Sequence, residues 1–351
     1  MRSGLCPAVA VEVGEPAGVI WRQAWGQVRV GPEPLETTPD TCFDLASLTK
    51  PLGTTLLTLA DVSSGRLRLD APVAEYLTVW RAADRQVVTV RDLLEHASGL
   101  PARLPAGDAN VPQPPPSTFA AWADTIARCP LLAPPREHAV YSDLGFLLLG
   151  TLLATDADAL ATRVDACLRP LVSALADSSD ALVTARPHDH PSAVVAPTRP
   201  LLEDTGRGPV LVREVHDNYA AAAGGYAGHA GLFGNVGGVG AIARGVLRAW
   251  VGDTTLPSPL TPASAHLMGT PSRVPGSSRT LGWDGMRPTS SCGARMSTLA
   301  FGHTGFTGTS VWIDPAASRY YVLLTNRVAG AADSAAMQEV RRTFHEVLSA
   351  P

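Results

Sequence analysis

Lysine is almost missing from this chain of 351 residues: of its 28 lysines and arginines, Lys50 is the only lysine. An arginine stays protonated at any accessible pH, whereas a lysine amine can lose its proton when its surroundings lower its pKa. A chain that uses arginine for every other basic position and keeps one lysine points to chemistry at that lysine. Other shortages exclude whole classes of function. There is no basic excess, since 32 acidic residues leave a formal net charge of −4, so no nucleic-acid partner is expected. The five cysteines, Cys6, Cys42, Cys129, Cys167 and Cys292, form an odd, scattered set without a Cys-x-x-Cys pair. That argues against a disulfide framework or a structural zinc site. No long apolar run free of Pro, Gly and charge suggests a membrane span. No Gly-x-Ser-x-Gly elbow is present to support an α/β-hydrolase reading. A secretory apolar region is also lacking, because Pro7 and Glu12 interrupt the first residues. The literal expectation is a cytoplasmic protein, unless an upstream export segment is missing.

What is present begins with Ser47-Leu48-Thr49-Lys50. The apolar stretch from Pro51 to Val62 reads as a buried helix that stops at Ser64-Gly65, and Pro51 is tolerated only in a first turn. The helix should therefore begin near Ser47. Residues three apart share a helix face, so the Ser47 hydroxyl and the Lys50 amine would be neighbours. A serine is a weak nucleophile until an adjacent base takes its proton. The pattern is short and recurs by chance, so two later segments carry the argument. Tyr141-Ser142-Asp143 opens the apolar run Leu144–Gly150 after a proline-rich loop, and its plainer reading is a helix cap with a core tyrosine. His303-Thr304-Gly305 follows a strand-like segment, with glycines that would let a ligand approach the backbone. Its plainer reading is an ordinary strand-to-turn segment.

Taken in order, these segments resemble the serine β-lactamase and penicillin-binding-protein superfamily. The likeness is to its class C-like branch of peptidases, D-aminopeptidases and esterases. The triple Ser-x-x-Lys, Tyr-x-Asn and Lys-Thr-Gly marks that family. Phe43-Asp44-Leu45-Ala46-Ser47, Asp92 to Pro101, Val215-His216-Asp217-Asn218 and Gly224 to Phe233 extend the likeness over nearly the whole chain. The resemblance implies a small-molecule acyl substrate, no cofactor and no metal. It implies that Ser47 is the nucleophile and that Lys50 and Tyr141 share the general-base work. Asp143 takes the place of the family asparagine, and His303, Thr304 and Gly305 that of the substrate-binding strand. The oxyanion hole would be the N–H groups of Ser47 and Phe306.

Three positions depart from the pattern. Asp143 replaces asparagine, which should hold Lys50 more firmly protonated and strengthen Tyr141 as the base. His303 replaces a lysine and is mostly neutral at pH 7, which weakens anion binding unless an arginine compensates. Arg136 stands where relatives often have glycine. The first two departures favour an ester or a neutral amide over a penicillin. β-Lactamase, D,D-carboxypeptidase, D-aminopeptidase and a non-catalytic penicillin-binding-like module remain as alternatives.

Length and a 45% apolar composition allow a large core. Residues 8–30 read as a strand pair, 47–180 as mostly helical apart from a loop at 104–117, and 185–212 as an irregular excursion. A helix is expected at 234–250, another over Val164–Leu182, a hairpin at 309–326 and a last helix at 334–348. The expected class is α+β, β-lactamase/transpeptidase-like: an antiparallel sheet flanked by terminal helices, with an inserted all-helical subdomain. Residues 1–46 and 213–351 would form the sheet domain and 47–212 the helical subdomain carrying Ser47 and Tyr141. His188-Asp189-His190 resembles a metal pair without a third ligand. His96, His216 and His229 are expected to be structural. The oligomeric state is open.

Overall fold

Strand segments that put alternate residues on opposite faces can be buried on both sides only if each face meets a different layer. The computed structural model describes residues 5–29, 33–105, 114–201, 206–330 and 333–349 and has that arrangement. Its strands are β1 (Ala8–Glu15), β2 (Gly18–Arg29), β3 (Leu35–Glu36), β4 (Phe43–Asp44), β5 (Val183–Thr184), β6 (Phe233–Gly234), β7 (Asp284–Gly285), β8 (Phe301–Thr304), β9 (Ser310–Asp314) and β10 (Arg319–Thr325). Its helices are α1 (Leu56–Ser63), α2 (Val90–Leu94), α3 (Phe119–Arg128), α4 (Asp143–Leu153), α5 (Ala157–Leu175), α6 (Asn218–Ala222), α7 (Val236–Trp250), α8 (Pro262–Gly269) and α9 (Ser334–Leu348).

Seven strands form one sheet in the order β3-β2-β1-β10-β9-β8-β7, every neighbouring pair antiparallel. Ala8, Ala10, Val311, Ile313, Tyr320, Val322 and Leu324 face the main core, where α7 lies between the sheet and α5. Val11, Val13, Trp312, Tyr321 and Leu323 face the other side and pack with Met337, Val340 and Phe344 of α9. The class is α+β, as read from the sequence. A second, three-stranded sheet, β4-β6-β5, ties the segment before Ser47 to the middle of the chain.

Several expected elements differ in detail. The helix after Ser47 is not one α-helix: a 3-10 turn (Ala46–Leu48) leads into a π-helical turn (Lys50–Thr55) and then α1. Pro51 lacks the amide hydrogen that an unbroken ladder would use there, and π-turns recur at functional sites. α5 starts earlier than the expected Val164–Leu182, because Asp156 caps its first turn through Ala159 N (2.8 Å), and it ends at Leu175. Most of the 104–117 loop, and part of the 185–212 excursion, lie outside the described residues. Among the described residues no single helix is long and apolar enough to cross a membrane.

Arg136, unexplained by the sequence, adopts φ +71°. Its guanidinium holds Asp92 of α2 with two nitrogens (Nε to Oδ1 3.0 Å, Nη2 to Oδ2 2.9 Å) and donates to the Val87 carbonyl (2.6 Å). A backbone conformation that favours glycine is thus retained by an arginine whose side chain has work to do.

Candidate active site

The Ser47 loop is held from both ends. Ala46, just before it, adopts φ +47°, a left-handed conformation uncommon for a non-glycine residue. The buried Asp44 carboxylate accepts the N–H of Ala46 (2.8 Å) and of His216 (2.6 Å), which fixes that bend. Burial pushes the Asp44 carboxyl up to about 6, although both hydrogen bonds pull it down. Thr309 donates its hydroxyl to the Leu45 carbonyl (3.1 Å), and Thr49 donates to the Ala46 carbonyl (2.6 Å).

Lys50 is fully buried. Its ammonium lies 3.0 Å from Ser47 Oγ, 2.8 Å from Asp143 Oδ1 and 3.2 Å from the His229 carbonyl. The spacing of three residues thus places amine and hydroxyl in contact across the 3-10 turn that precedes the π-turn. Burial pulls the Lys50 pKa down, but Asp143 and Tyr141 outweigh it, and the net shift is upward. The ammonium also lies 4.8 Å from the centre of the Tyr141 ring.

The Tyr141-Ser142-Asp143 turn is set by groups from 96–102. Ser142 N–H donates to His96 Nδ1 (3.0 Å), Ser142 Oγ donates to the Pro101 carbonyl (2.6 Å), and Asp143 N–H donates to the Ala102 carbonyl (2.9 Å). Ser142 caps α4 through Gly145 N (3.2 Å), so the plainer sequence reading also describes this turn. The His96 ring packs on Tyr141 with centres 4.6 Å apart.

β8 closes the other wall. His303 is buried and pairs with Val311, and Thr304 pairs with Ser310. His303 Nδ1 lies 2.8 Å from the Thr304 carbonyl, which makes Nδ1 the protonated nitrogen and leaves Nε2 an acceptor without a partner among the described residues. Burial, with Lys50 and Arg279 adding to it, holds the imidazole well below its usual range and therefore neutral. Gly305 packs directly on the Ser47 loop: a Cβ there would come within 2.5 Å of the Leu45 carbonyl oxygen. The Gly305 carbonyl accepts from Arg341 and the Phe306 carbonyl from Arg327. In a planar trans peptide the Phe306 N–H then points away from Arg341, and it makes no hydrogen bond among the described residues. The Phe306 ring lies between the His216 ring (5.4 Å) and the Arg327 guanidinium (4.6 Å).

Ser47, Tyr141, His303, Thr304, Gly305 and Phe306 all line one cavity of about 490 Å³. Arg279, Arg327 and Arg341 line it too, and no sequence signal singled them out among 27 arginines; they come from three distant segments. Arg279 also stands 5.1 Å from the centre of the Tyr141 ring. His229, expected to be structural, is a site residue through its carbonyl, and its Nε2 lies 2.7 Å from Asp217 Oδ1. Arg103 Nη1 stands 3.5 Å from both Asp143 Oδ2 and Asp217 Oδ2. His188-Asp189-His190 gathers no third ligand, and no group of three metal-binding side chains occurs among the described residues.

A family model described as Beta-lactamase matches residues 1–344. The chain belongs to the Beta-lactamase family, a family of hydrolases. A protein of Escherichia coli K12 named "Putative D-alanyl-D-alanine carboxypeptidase" is 27% identical over 92% of this chain and 78% of its own length. Esterase EstB of Burkholderia gladioli is 38% identical over 30% of this chain and 28% of its own. The structure of EstCE1, described as a hydrolase with promiscuous acyltransferase activity, superposes with a TM-score of 0.71 at 20% identity. It covers 98% of this Beta-lactamase family member and 95% of EstCE1. That likeness concerns the fold.

Proposed function

We propose that this protein is a serine hydrolase that works through an acyl-enzyme on Ser47, with esters or neutral amides as substrates. The observation that carries the reading is the Lys50 ammonium held between Ser47 Oγ (3.0 Å) and Asp143 Oδ1 (2.8 Å). An ammonium kept charged by Asp143 is a poor base, so the base is Tyr141, whose phenolate that cation stabilises. In the first step Ser47 Oγ bonds to the acyl carbon and its proton passes to the Tyr141 oxygen. The same proton leaves on the alcohol or amine as the bond to the leaving group breaks. Water then adds to the acyl carbon, gives one proton to Tyr141, and releases the acid as Ser47 recovers that proton. The N–H groups of Ser47 and Phe306 would hold the developing oxyanion, each worth roughly 3–4 kcal/mol. The esterase name of one relative agrees with this reading.

A second reading, a β-lactamase or carboxypeptidase with a carboxylate-bearing substrate, is favoured by Arg279, Arg327 and Arg341 along the cavity. They supply the positive charge that His303 lacks. The test compares hydrolysis of p-nitrophenyl acetate and butyrate with that of nitrocefin, for wild type and Ser47→Ala. Ester turnover lost in Ser47→Ala, with little nitrocefin turnover, supports the esterase reading. Nitrocefin turnover comparable to the ester rate overturns it in favour of the second. Turnover that survives in Ser47→Ala rejects Ser47 as the nucleophile.

A further inference from the structure

A buried lysine beside a carboxylate is set not only by that carboxylate but by whatever faces the carboxylate's other oxygen. Asp143 turns Oδ1 to Lys50 (2.8 Å) and Oδ2 to Arg103 (3.5 Å). Arg103 stands equally close to Asp217 Oδ2 (3.5 Å), donates to Asn218 Oδ1 (2.8 Å), and lies 4.3 Å from the centre of the Tyr219 ring. Asp217 turns Oδ1 to His229 Nε2 (2.7 Å), and the His229 carbonyl accepts from Lys50 (3.2 Å). The contacts close on themselves: Lys50, Asp143, Arg103, Asp217, His229 and back to Lys50. Only Lys50 and Asp143 in this ring belong to the motifs that carry the family likeness as nucleophile machinery.

We propose that Arg103 and Asp217 are positioning residues that set the protonation balance of the Lys50–Tyr141 pair from outside its direct contacts. The proposal rests on the reading of Ser47, Lys50 and Tyr141 given above. A family asparagine would need no second cation; an aspartate does. With Lys50 as its only partner, Asp143 would neutralise the ammonium and leave the Tyr141 phenolate without a net positive charge beside it. Arg103 takes up the extra negative charge, so Lys50 keeps its effect on the phenolate. Asp217 in turn anchors Arg103. Burial pushes its carboxyl up, but His229 and Arg103 outweigh that and hold it far below the usual carboxylate range.

The other charged and titratable groups around Lys50 and Tyr141 do not substitute for Arg103. His96 and His303 pack on the Tyr141 ring, and burial keeps both neutral. Arg279 lies over the same ring but is itself 3.6 Å from Asp284.

The test is the acid limb of the kcat/KM profile on p-nitrophenyl acetate for Arg103→Gln, Arg103→Lys and the double variant Arg103→Gln/Asp217→Asn. The limb reports the essential base of the free enzyme, here the coupled Lys50–Tyr141 pair. Loss of a cation disfavours the phenolate, so Arg103→Gln should move the limb to higher pH. The Arg103 side chain is 42% exposed, so the shift is screened to about half a pH unit. Arg103→Lys keeps the charge and should hold the wild-type limb. The double variant leaves Asp143 with Lys50 as its only cation, so its limb should stay above the wild-type position, below the single variant's only by the loss of the Asp217 charge. A limb that stays fixed in Arg103→Gln while kcat falls would mean a purely structural arginine and overturn the proposal. So would a double variant whose limb returns fully to the wild-type position. Failure of Ser47→Ala to abolish turnover would instead sink the underlying reading, so the two failures are distinct.

Discussion

Gly305→Ala tests the geometry of the site at its tightest point. A Cβ at this position would lie 2.2 Å from Thr309 Oγ1 and 2.5 Å from the Leu45 carbonyl oxygen. The threonine hydroxyl can rotate away, although it then gives up its bond to that same carbonyl (3.1 Å). The backbone oxygen cannot. A carbon and a carbonyl oxygen rest at about 3.3 Å, so roughly 0.8 Å of separation must open between β8 and the Ser47 loop. Those two segments carry the two N–H groups assigned to the oxyanion hole. A misplacement of about 1 Å costs on the order of 100-fold in rate, and loss of one donor costs about 100- to 1,000-fold in kcat.

The expectation for Gly305→Ala is therefore a fall of about 100-fold or more in kcat on p-nitrophenyl acetate, with a smaller change in KM. Thermal unfolding followed by circular dichroism should show a two-state transition, lowered but intact. Overpacking of this kind costs about 1–3 kcal/mol. A variant with kcat within threefold of wild type would refute the assignment of Phe306 N–H. A variant that unfolds at assay temperature is replaced by Thr309→Val, which removes the Thr309–Leu45 bond without adding a Cβ. It should lower kcat by a smaller factor in the same direction.

Two further predictions concern charge. Lys50 has a folded pKa above its ordinary value, so its stabilisation is complete below about 10.4 and is lost as pH rises through the still higher folded value. In Asp143→Asn one of the groups that outweigh burial is gone, so the folded pKa of Lys50 should fall, and stability relative to wild type should rise as pH climbs past that lowered value. Urea unfolding across alkaline pH checks the sign in the difference between the two curves, because the buried thiols and tyrosines, whose pKa values burial raises, titrate in both proteins alike. Parallel curves for the two proteins would refute it. If Arg341 holds a substrate carboxylate, Arg341→Gln should raise KM for nitrocefin about tenfold and leave KM for p-nitrophenyl acetate within about twofold. Equal changes in both would assign Arg341 only to the turn at Gly305 and Thr309, whose carbonyls it holds.

The layers of the fold were legible because the strands and the last helix carry distinct local apolar patterns. Ala8–Val13 and Tyr320–Leu324 are nearly continuous apolar runs, as strands buried on both faces require, and Ser334 to Leu348 has helical spacing. The reactive contacts were legible where residues are close in sequence, as with Ser47 and Lys50. The arrangement of Lys50 as a π-turn was not, because a missing Pro51 amide says where a ladder breaks but not which wider turn replaces it. Nor were the partners of the motif residues legible. Arg103, Asp217 and Arg341 are separated in sequence by long stretches, and charge pairing at a distance leaves no periodic trace. His229 was read as structural for a different reason: its contribution to Lys50 is a carbonyl, which any residue type would offer.

The charge argument against an anionic substrate changes once these partners are in place. Asp143 adds a negative charge to the family pattern, but Arg103 faces its second oxygen, so the addition is balanced locally. His303 puts a neutral imidazole where the family pattern has a cation, but Arg327 and Arg341 bring guanidinium groups to the same end of β8. The Arg341 guanidinium donates to the neutral carbonyls of Gly305 and Thr309, and burial lowers its pKa to about 10. A cation whose pKa is depressed gains from an arriving anion, because the anion reverses the cost of its burial. Substrate charge therefore turns on whether a carboxylate reaches the turn at Gly305 without displacing the Phe306 ring. That ring is 51% exposed and lies over the Arg327 guanidinium at the cavity wall.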